Sequence, residues 1–142
     1  MIRAYQDADV DAILDVWYKS SSLAHPFLSD EFQEKEKKNI REIYLPNTVT
    51  WVYEADGRIL GFISMMGNEI GAIFLDPSYH GRGIGKTMLD WVKQKHDSLE
   101  VDVFKANHIG RAFYDRNGFR FMREYIHKET KQEVLRLKLS TI

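Results

Sequence analysis

The sequence predicts an α/β (α+β) layered domain, and three observations carry that prediction. Apolar periodicity switches between the two-residue repeat of strands and the 3.6-residue repeat of helices, in the order βαα-βββ-α-β-α-ββ. Two turn signals, Asp56-Gly57 and Gly67-Asn68, join three consecutive runs rich in β-branched and aromatic residues. The chain has 142 residues, 44% of them hydrophobic, which fits one domain over residues 1–142 that buries a core without staples.

Each element has its own signal. Ile2 to Tyr5 reads as a short strand. Asp7 and Asp9 precede a helical face of Val10, Ile13, Leu14 and Trp17 at i, i+3, i+4, i+7. Ala24 to Phe27 is a loop, and Ser29 followed by Asp30 and Glu31 is an N-cap with acid in the first turn. The helix it opens carries Phe32, Ile40, Ile43 and Tyr44 and is expected to stop before Pro46. Strands over Thr48 to Ala55, Arg58 to Met66 and Glu69 to Leu75 form an antiparallel meander. Gly83 to His96 is helical, with Ile84, Met88 and Val92 spaced by four, and Leu99 to Phe104 alternates as a strand. Asn107 to Asn117 is a short helix closed by Gly118. Phe119 to Ile126 and Glu133 to Leu139 make a closing pair, with Leu135, Leu137 and Leu139 on one face.

Composition removes several function classes. Twenty Lys and Arg stand against 21 Asp and Glu, a net charge of −1. No nucleic acid or anionic membrane surface is expected as a partner held by bulk charge. Zero cysteines exclude disulfides, thiolate catalysis and Cys-ligated zinc, and the five histidines show no metal-ligand spacing, so no metal is expected. No apolar run approaches the ~18 residues of a membrane span and no signal peptide opens the chain, so the expectation is a soluble, cytoplasmic protein. The sign-alternating stretch Glu34 to Lys38 reads as a solvated helix face.

The most informative stretch runs Leu75-Asp76-Pro77-Ser78-Tyr79-His80-Gly81-Arg82-Gly83-Ile84-Gly85-Lys86. A strand ends, three alternating glycines follow and a helix begins. Successive backbone N–H groups then face one concavity, and the helix N-terminus adds unpaired donors and about half a positive charge. Arg82 and Lys86 add cations, so the segment predicts a phosphate or pyrophosphate cradle. The P-loop pattern fails because its first glycine falls on His80, although Gly85-Lys86-Thr87 is present. The dinucleotide fingerprint fails because its third glycine falls on Lys86 or Met88.

His80-Gly81-Arg82-Gly83-Ile84-Gly85 resembles the acetyl-CoA signature of the GNAT superfamily of N-acetyltransferases, with His80 where Gln or Arg is usual. Leu99 to Val103, Asn107, Ala112-Phe113-Tyr114 and Asn117-Gly118-Phe119 look like the same superfamily's second block, and the element order is also similar. The resemblance implies an acyl-CoA N-acyltransferase fold, a mixed and mostly antiparallel central sheet with helices on both faces and splayed strands that hold pantetheine. It implies that acetyl-CoA is the co-substrate. The backbone of Ile73, Phe74 and Leu75 would pair with pantetheine, and the amides of Gly81, Arg82, Gly83, Ile84, Gly85 and Lys86 would hold the pyrophosphate. Leu75 N–H would face developing oxyanion charge, a contribution of about 2.7–4 kcal/mol. Asn107 matches a cofactor-arm contact as well as a plain N-cap, and Tyr114 matches the tyrosine that protonates the departing thiolate. From the spacing, Tyr114 faces away from a stripe of Ile109, Ala112 and Phe113.

The resemblance implies a primary amine as the acceptor. A lysine of pKa ~10.4 at pH 7 costs ~4.6 kcal/mol to deprotonate, against ~1 kcal/mol for an N-terminal amine. Asp102 matches the position of an acidic base, with Glu100 on the same strand face and Glu69 and Glu54 as weaker candidates; a water chain is the other route. The acceptor pocket is expected from the N-terminal helices, with His25 and Phe27 around Pro26, and with Trp17, Tyr18 and Trp51. His25-Pro26-Phe27 and Trp51 to Glu54 are similar to small bacterial members of the superfamily, one of them a protein-lysine acetyltransferase, which implies a protein or peptide lysine as the favoured acceptor. Small-molecule amines and a non-catalytic acyl-CoA-binding module stay open, as does a nucleotide-binding protein built on Gly85-Lys86-Thr87. The oligomeric expectation is a monomer or homodimer.

Overall fold

The structure is a computed structural model that describes residues 1–142. Strand β1 (Ile2–Ala4) leads through a 3₁₀ turn into α1 (Val10–Ala24), and α2 (Asp30–Asn39) follows the loop after it. A π-helical turn (Ile40–Tyr44) and a one-turn helix α3 (Leu45–Asn47) precede β2 (Val49–Ala55), β3 (Arg58–Met66) and β4 (Glu69–Leu75). Then come α4 (Ile84–Lys93), β5 (Ser98–Phe104), α5 (His108–Arg116), β6 (Arg120–Ile126) and β7 (Glu133–Ser140).

The seven strands form one sheet in the order β1-β2-β3-β4-β5-β7-β6. Every pairing is antiparallel except β4 with β5. The sheet divides two apolar layers. One cluster holds Ile13, Leu14, Val16 and Trp17 of α1 against Val52 and Phe62. The other holds Met88, Leu89 and Val92 of α4 and Tyr114 of α5 against Ile63, Val101, Leu135 and Leu137. No helix is long and apolar enough to cross a membrane.

Local signals account for most boundaries. Ser29 Oγ accepts the Phe32 N–H at 3.1 Å, as an N-cap should. The expected stop before Pro46 is corrected: the chain stays helical through it. Pro46 lacks the N–H that would reach back to Glu42, and the preceding Leu45 N–H instead bonds Ile40 O, one residue beyond the α-helical register. The proline then lies in the first turn of α3, where a missing donor costs nothing.

Candidate active site

The site begins where two strands part. β4 and β5 pair only at Glu69↔Glu100 and Ile70↔Val101, after which β4 runs on to Leu75 and β5 to Phe104 unpaired with each other. Asp76 N–H donates to Leu60 O at 2.8 Å, so alternation turns the backbone of Phe74 into β3. Ile73 and Leu75 therefore present N–H and C=O to the gap, whereas Phe74 contributes its side chain. The Leu75 carbonyl accepts a hydrogen bond from His80 Nε2 at 3.1 Å. A carbonyl only accepts, so His80 carries its proton on Nε2 and folds the glycine turn back onto the end of β4.

The turn is shaped as a cradle. Gly81 and Gly83 have φ of +80° and +81°, a region that L side chains rarely adopt. Gly83 is the N-cap of α4, and its carbonyl takes the first helical bond, from Thr87 N–H at 3.0 Å. None of the N–H groups from Gly81 to Gly83 bonds within the protein, and those of Ile84, Gly85 and Lys86 are the orphans of the first helical turn. A Cβ on Gly85 would stand 3.0 Å from the Phe113 ring, so any larger residue there would have to push that ring aside by a few tenths of an ångström. Six successive donors at a helix N-terminus fit a pyrophosphate. Lys86 lines the cavity and pairs with Asp90 at 2.7 Å, while Arg82 lies outside the lining, with its guanidinium over the Tyr79 ring.

The gap opens into a cavity of about 950 Å³ that continues beneath α2. Tyr114 lines it and is buried at 7% exposure, its ring edge-on to Phe113 and Phe119. Tyr114 lies on the opposite face of α5 from Ile109 and Ala112, as the spacing indicates, and it is the tyrosine's face that packs inward. Tyr114 is the one buried residue of α5, while Ile109 and Ala112 are exposed, because the helix packs through its tyrosine. Burial holds the phenol well above its ordinary pKa, so it stays protonated at neutral pH. Its hydroxyl makes no hydrogen bond to the protein and is free to donate into the cavity.

Asn107 is fully engaged on one side. Its Oδ1 accepts Gly110 N–H at 2.8 Å, which orients the amide so that Nδ2 donates to His25 Nε2 at 3.2 Å. His25 must then carry its proton on Nδ1, which donates to Ser21 Oγ at 2.9 Å. Burial against Phe27, Phe74 and Phe104 pushes the imidazole down to about 4, so it is neutral at pH 7. The sequence pointed to His25 without a role. The structure makes it the joint between the N-cap of α5 and the last turn of α1.

The carboxylates separate into two groups. Asp102 lines the cavity; its Oδ2 accepts the Tyr125 hydroxyl at 2.8 Å and its Oδ1 lies 3.2 Å from Arg136 Nη1. The same guanidinium holds Glu69 at 2.6 Å and Glu100 at 3.1 Å. Burial works against the charge on Arg136, yet the hydrogen bonds to these three carboxylates raise its pKa further. The Tyr125 hydroxyl is pushed up to about 12 by burial and by Asp102. Glu54 is not part of the site: it pairs with Arg3 at the far edge of the sheet, 2.5 Å away.

Three expected acceptor residues are corrected, and one of them, Tyr18, is exposed and lies outside the cavity lining. Trp51 packs on Trp91 of α4, ring centroids 6.4 Å apart, on the opposite face from the acceptor limb. Side-chain alternation sends its neighbour Thr50 to that limb's side, where Thr50 Oγ1 and Ser64 Oγ lie 2.7 Å apart. Phe27 does not line the cavity either; it backs His25 and Phe104 from behind. The acceptor limb is instead lined by Gln33, Glu36, Tyr44, Tyr125 and His127, none of which the sequence singled out. Glu36 sits in the charged run Glu34 to Lys38 that reads as solvated and Gln33 directly precedes it, and only the tertiary fold turns them inward.

A sheet opened between its one parallel pair, with a glycine cradle at the end of the splayed strand, defines an acyl-CoA-dependent N-acetyltransferase. Residues 46–121 match the acetyltransferase (GNAT) domain family, and the chain belongs to it. It is 38% identical over 120 residues to the peptidyl-lysine N-acetyltransferase YiaC of Escherichia coli strain K12, covering 84% of this chain and 82% of that protein. It is 27% identical over 121 residues to the peptidyl-lysine N-acetyltransferase YjaB of the same organism, covering 84% and 81%. The solution structure of apo YjaB from Escherichia coli superposes with a TM-score of 0.88 at 23% identity, over 97% of this chain and 95% of that one. A crystal structure of PaiA N-acetyltransferase from Thermoplasma acidophilum in complex with coenzyme A gives 0.76 at 21% identity, over 98% of both chains. These two likenesses show the fold.

Proposed function

We propose that this acetyltransferase moves acetyl from acetyl-CoA to the side-chain amine of a protein or peptide lysine. The observation that carries the proposal is the acceptor limb: two carboxylates, Glu36 and Asp102, in a wall that also carries the apolar side chains of Leu28, Phe32, Ile40 and Phe104. A long aliphatic stem ending in an ammonium matches that pattern of greasy walls and fixed negative charge. The two peptidyl-lysine N-acetyltransferases among its relatives support the same acceptor.

The geometry supports the following roles. The amides of Gly81 to Lys86 bind pyrophosphate, and the outward backbone groups of Ile73 and Leu75 bind the pantetheine arm as an added strand edge. Acetyl-CoA supplies the activated thioester acetyl. Leu75 N–H stands where negative charge builds on the carbonyl oxygen, and the Tyr114 hydroxyl donates to the sulfur as it departs. Even a phenol of ordinary pKa ~10 facing a thiol near ~8.5 releases its proton against about 2 kcal/mol, and burial raises that cost further, so Tyr114 acts first as a hydrogen-bond donor to the thiolate. Asp102 already accepts from Tyr125 and faces Arg136, so its part is to attract and orient the ammonium; water takes the proton.

The test is CoA thiol release with two matched peptides, using wild type and Tyr114→Phe. One peptide has a blocked N-terminus and a free lysine; the other has a free N-terminus and no lysine. Faster turnover of the lysine peptide, mostly lost in the variant, supports acceptor and tyrosine together. No turnover of either peptide despite saturable acetyl-CoA binding rules out the protein-acetylating reading and leaves small amines or a binding module.

A further inference from the structure

The limb beneath α2 contains a side chain that packing does not explain. Gln33 is the only buried residue of α2, at 9% exposure, and its Oε1 is shut from solvent with no hydrogen-bond partner. Few buried carbonyls in native proteins are left this way, because the desolvation cost is not returned. The positions that share its face are Glu36, Ile40 and Tyr44, at steps of three, four and four, and all line the cavity. An ordinary amphipathic helix would carry aliphatic residues along such a face; three of these four are polar.

That polar face is held in place. Phe32 stacks edge-on against His127 at 5.9 Å and Lys35 pairs with Glu129, so α2 is fastened across the limb to the turn between β6 and β7. The π turn brings the Tyr44 hydroxyl to within 3.3 Å of Glu36 Oε1. Insertions of this kind occur frequently at functional sites. Glu36 is therefore positioned, and Gln33 lies one turn deeper with nothing to bond.

We infer that Gln33 recognises the acceptor: its side-chain carbonyl takes an N–H of the primary amine that enters beneath α2, with Glu36 as the countercharge. An amide oxygen accepts and never donates, so the partner must carry an N–H or O–H, which disfavours an ionised carboxylate or phosphate, and the negative charge of Glu36 beside it favours an ammonium among such donors. Gln33 Nε2 makes no hydrogen bond and keeps solvent access, so a half-turn about the soft terminal torsion exchanges the two atoms and turns the oxygen to the accessible position an entering amine can reach. The inference rests on the amine-acetylating reading of the site but not on lysine as the particular amine.

The experiment is steady-state kinetics of wild type, Gln33→Leu and Gln33→Glu, each with the blocked lysine peptide and with a short alkyl diamine, alongside thermal melts. Gln33→Leu is expected to raise the acceptor KM at least tenfold, leave the acetyl-CoA KM within twofold and keep or raise Tm. Gln33→Glu, which retains an accepting oxygen, is expected to recover most of the acceptor KM. An acceptor KM within twofold of wild type in Gln33→Leu overturns the inference, as does an equal rise in both KM values. If wild type acetylates the diamine and not the peptide, the lysine reading fails and the Gln33 comparison is decided on the diamine. Turnover of neither by wild type overturns both.

Discussion

Two buried residues of this site are defined by what their polar atoms do. Tyr114 keeps an unbonded hydroxyl at the end of a ring packed against Phe113 and Phe119. Tyr114→Phe removes the hydroxyl without removing the packing, so Tm should hold while kcat falls by about 10²-fold or more and acetyl-CoA affinity is unchanged. Stopped assays of CoA release with parallel melts check it; a Tm loss matching the activity loss would make the residue structural. His25 is the opposite case, with both ring nitrogens bonded and the neutral form enforced by burial. Its pKa is near 6.5 in the unfolded chain and about 4 in the fold, so the unfolded state binds more protons between those values. Its contribution is present above pH 6.5 and is lost as pH falls towards 4. Urea unfolding from pH 7.5 to 4.5 should show wild type losing about 2–3 kcal/mol more than His25→Gln. Parallel slopes for the two proteins would contradict the buried neutral imidazole.

Among the elements, the junction of β4 and α4 was the most legible in sequence, because alternating glycines before a helix have one use that needs backbone donors in a row. Gly83 has left-handed geometry and nothing within 4 Å of an added Cβ, so substitution acts through the backbone alone. Gly83→Ala should cost about 1–2 kcal/mol of stability by denaturant titration and weaken acetyl-CoA binding at least tenfold by calorimetry. Unchanged affinity in a destabilised variant would remove the cradle from the binding site. The strands were legible too, since the turns at Asp56-Gly57 and Gly67-Asn68 fix where the chain reverses. Strand alternation says that Thr50 and Trp51 point apart, but not which of the two faces carries the cavity, and the larger residue was the wrong choice. On α2 the difficulty is reversed. Periodicity finds apolar faces, so a helix that turns Gln33 and Glu36 towards a cavity looks like solvated surface. On α5 the spacing puts Tyr114 opposite Ile109 and Ala112 but does not say which face is buried, and there the exposed residues are the apolar ones.

At the scale of the whole molecule, the sheet is two blocks joined weakly. β1 to β4 form one antiparallel set and β5 to β7 another, and the parallel seam between them has two paired positions before it splays. His25 bridges the seam by joining α1 to the N-cap of α5. A ligand that bonds the free edge of β4, the cradle before α4 and the wall at Tyr114 touches both blocks at once, and it binds the folded state only. At a hundredfold excess over Kd such binding adds about 2.7 kcal/mol of stability. For a chain of this length that corresponds to about 5–10 °C in Tm. Acetyl-CoA should produce a rise of that size at saturation. ATP offers phosphates to the cradle but no arm to follow β4, so it should shift Tm by less than about 2 °C at the same concentration. Equal shifts from the two ligands would mean that the cradle alone carries the binding energy and that the splayed seam is not part of the site. That outcome would return the nucleotide-binding reading of Gly85-Lys86-Thr87 to contention, despite the missing first glycine at His80.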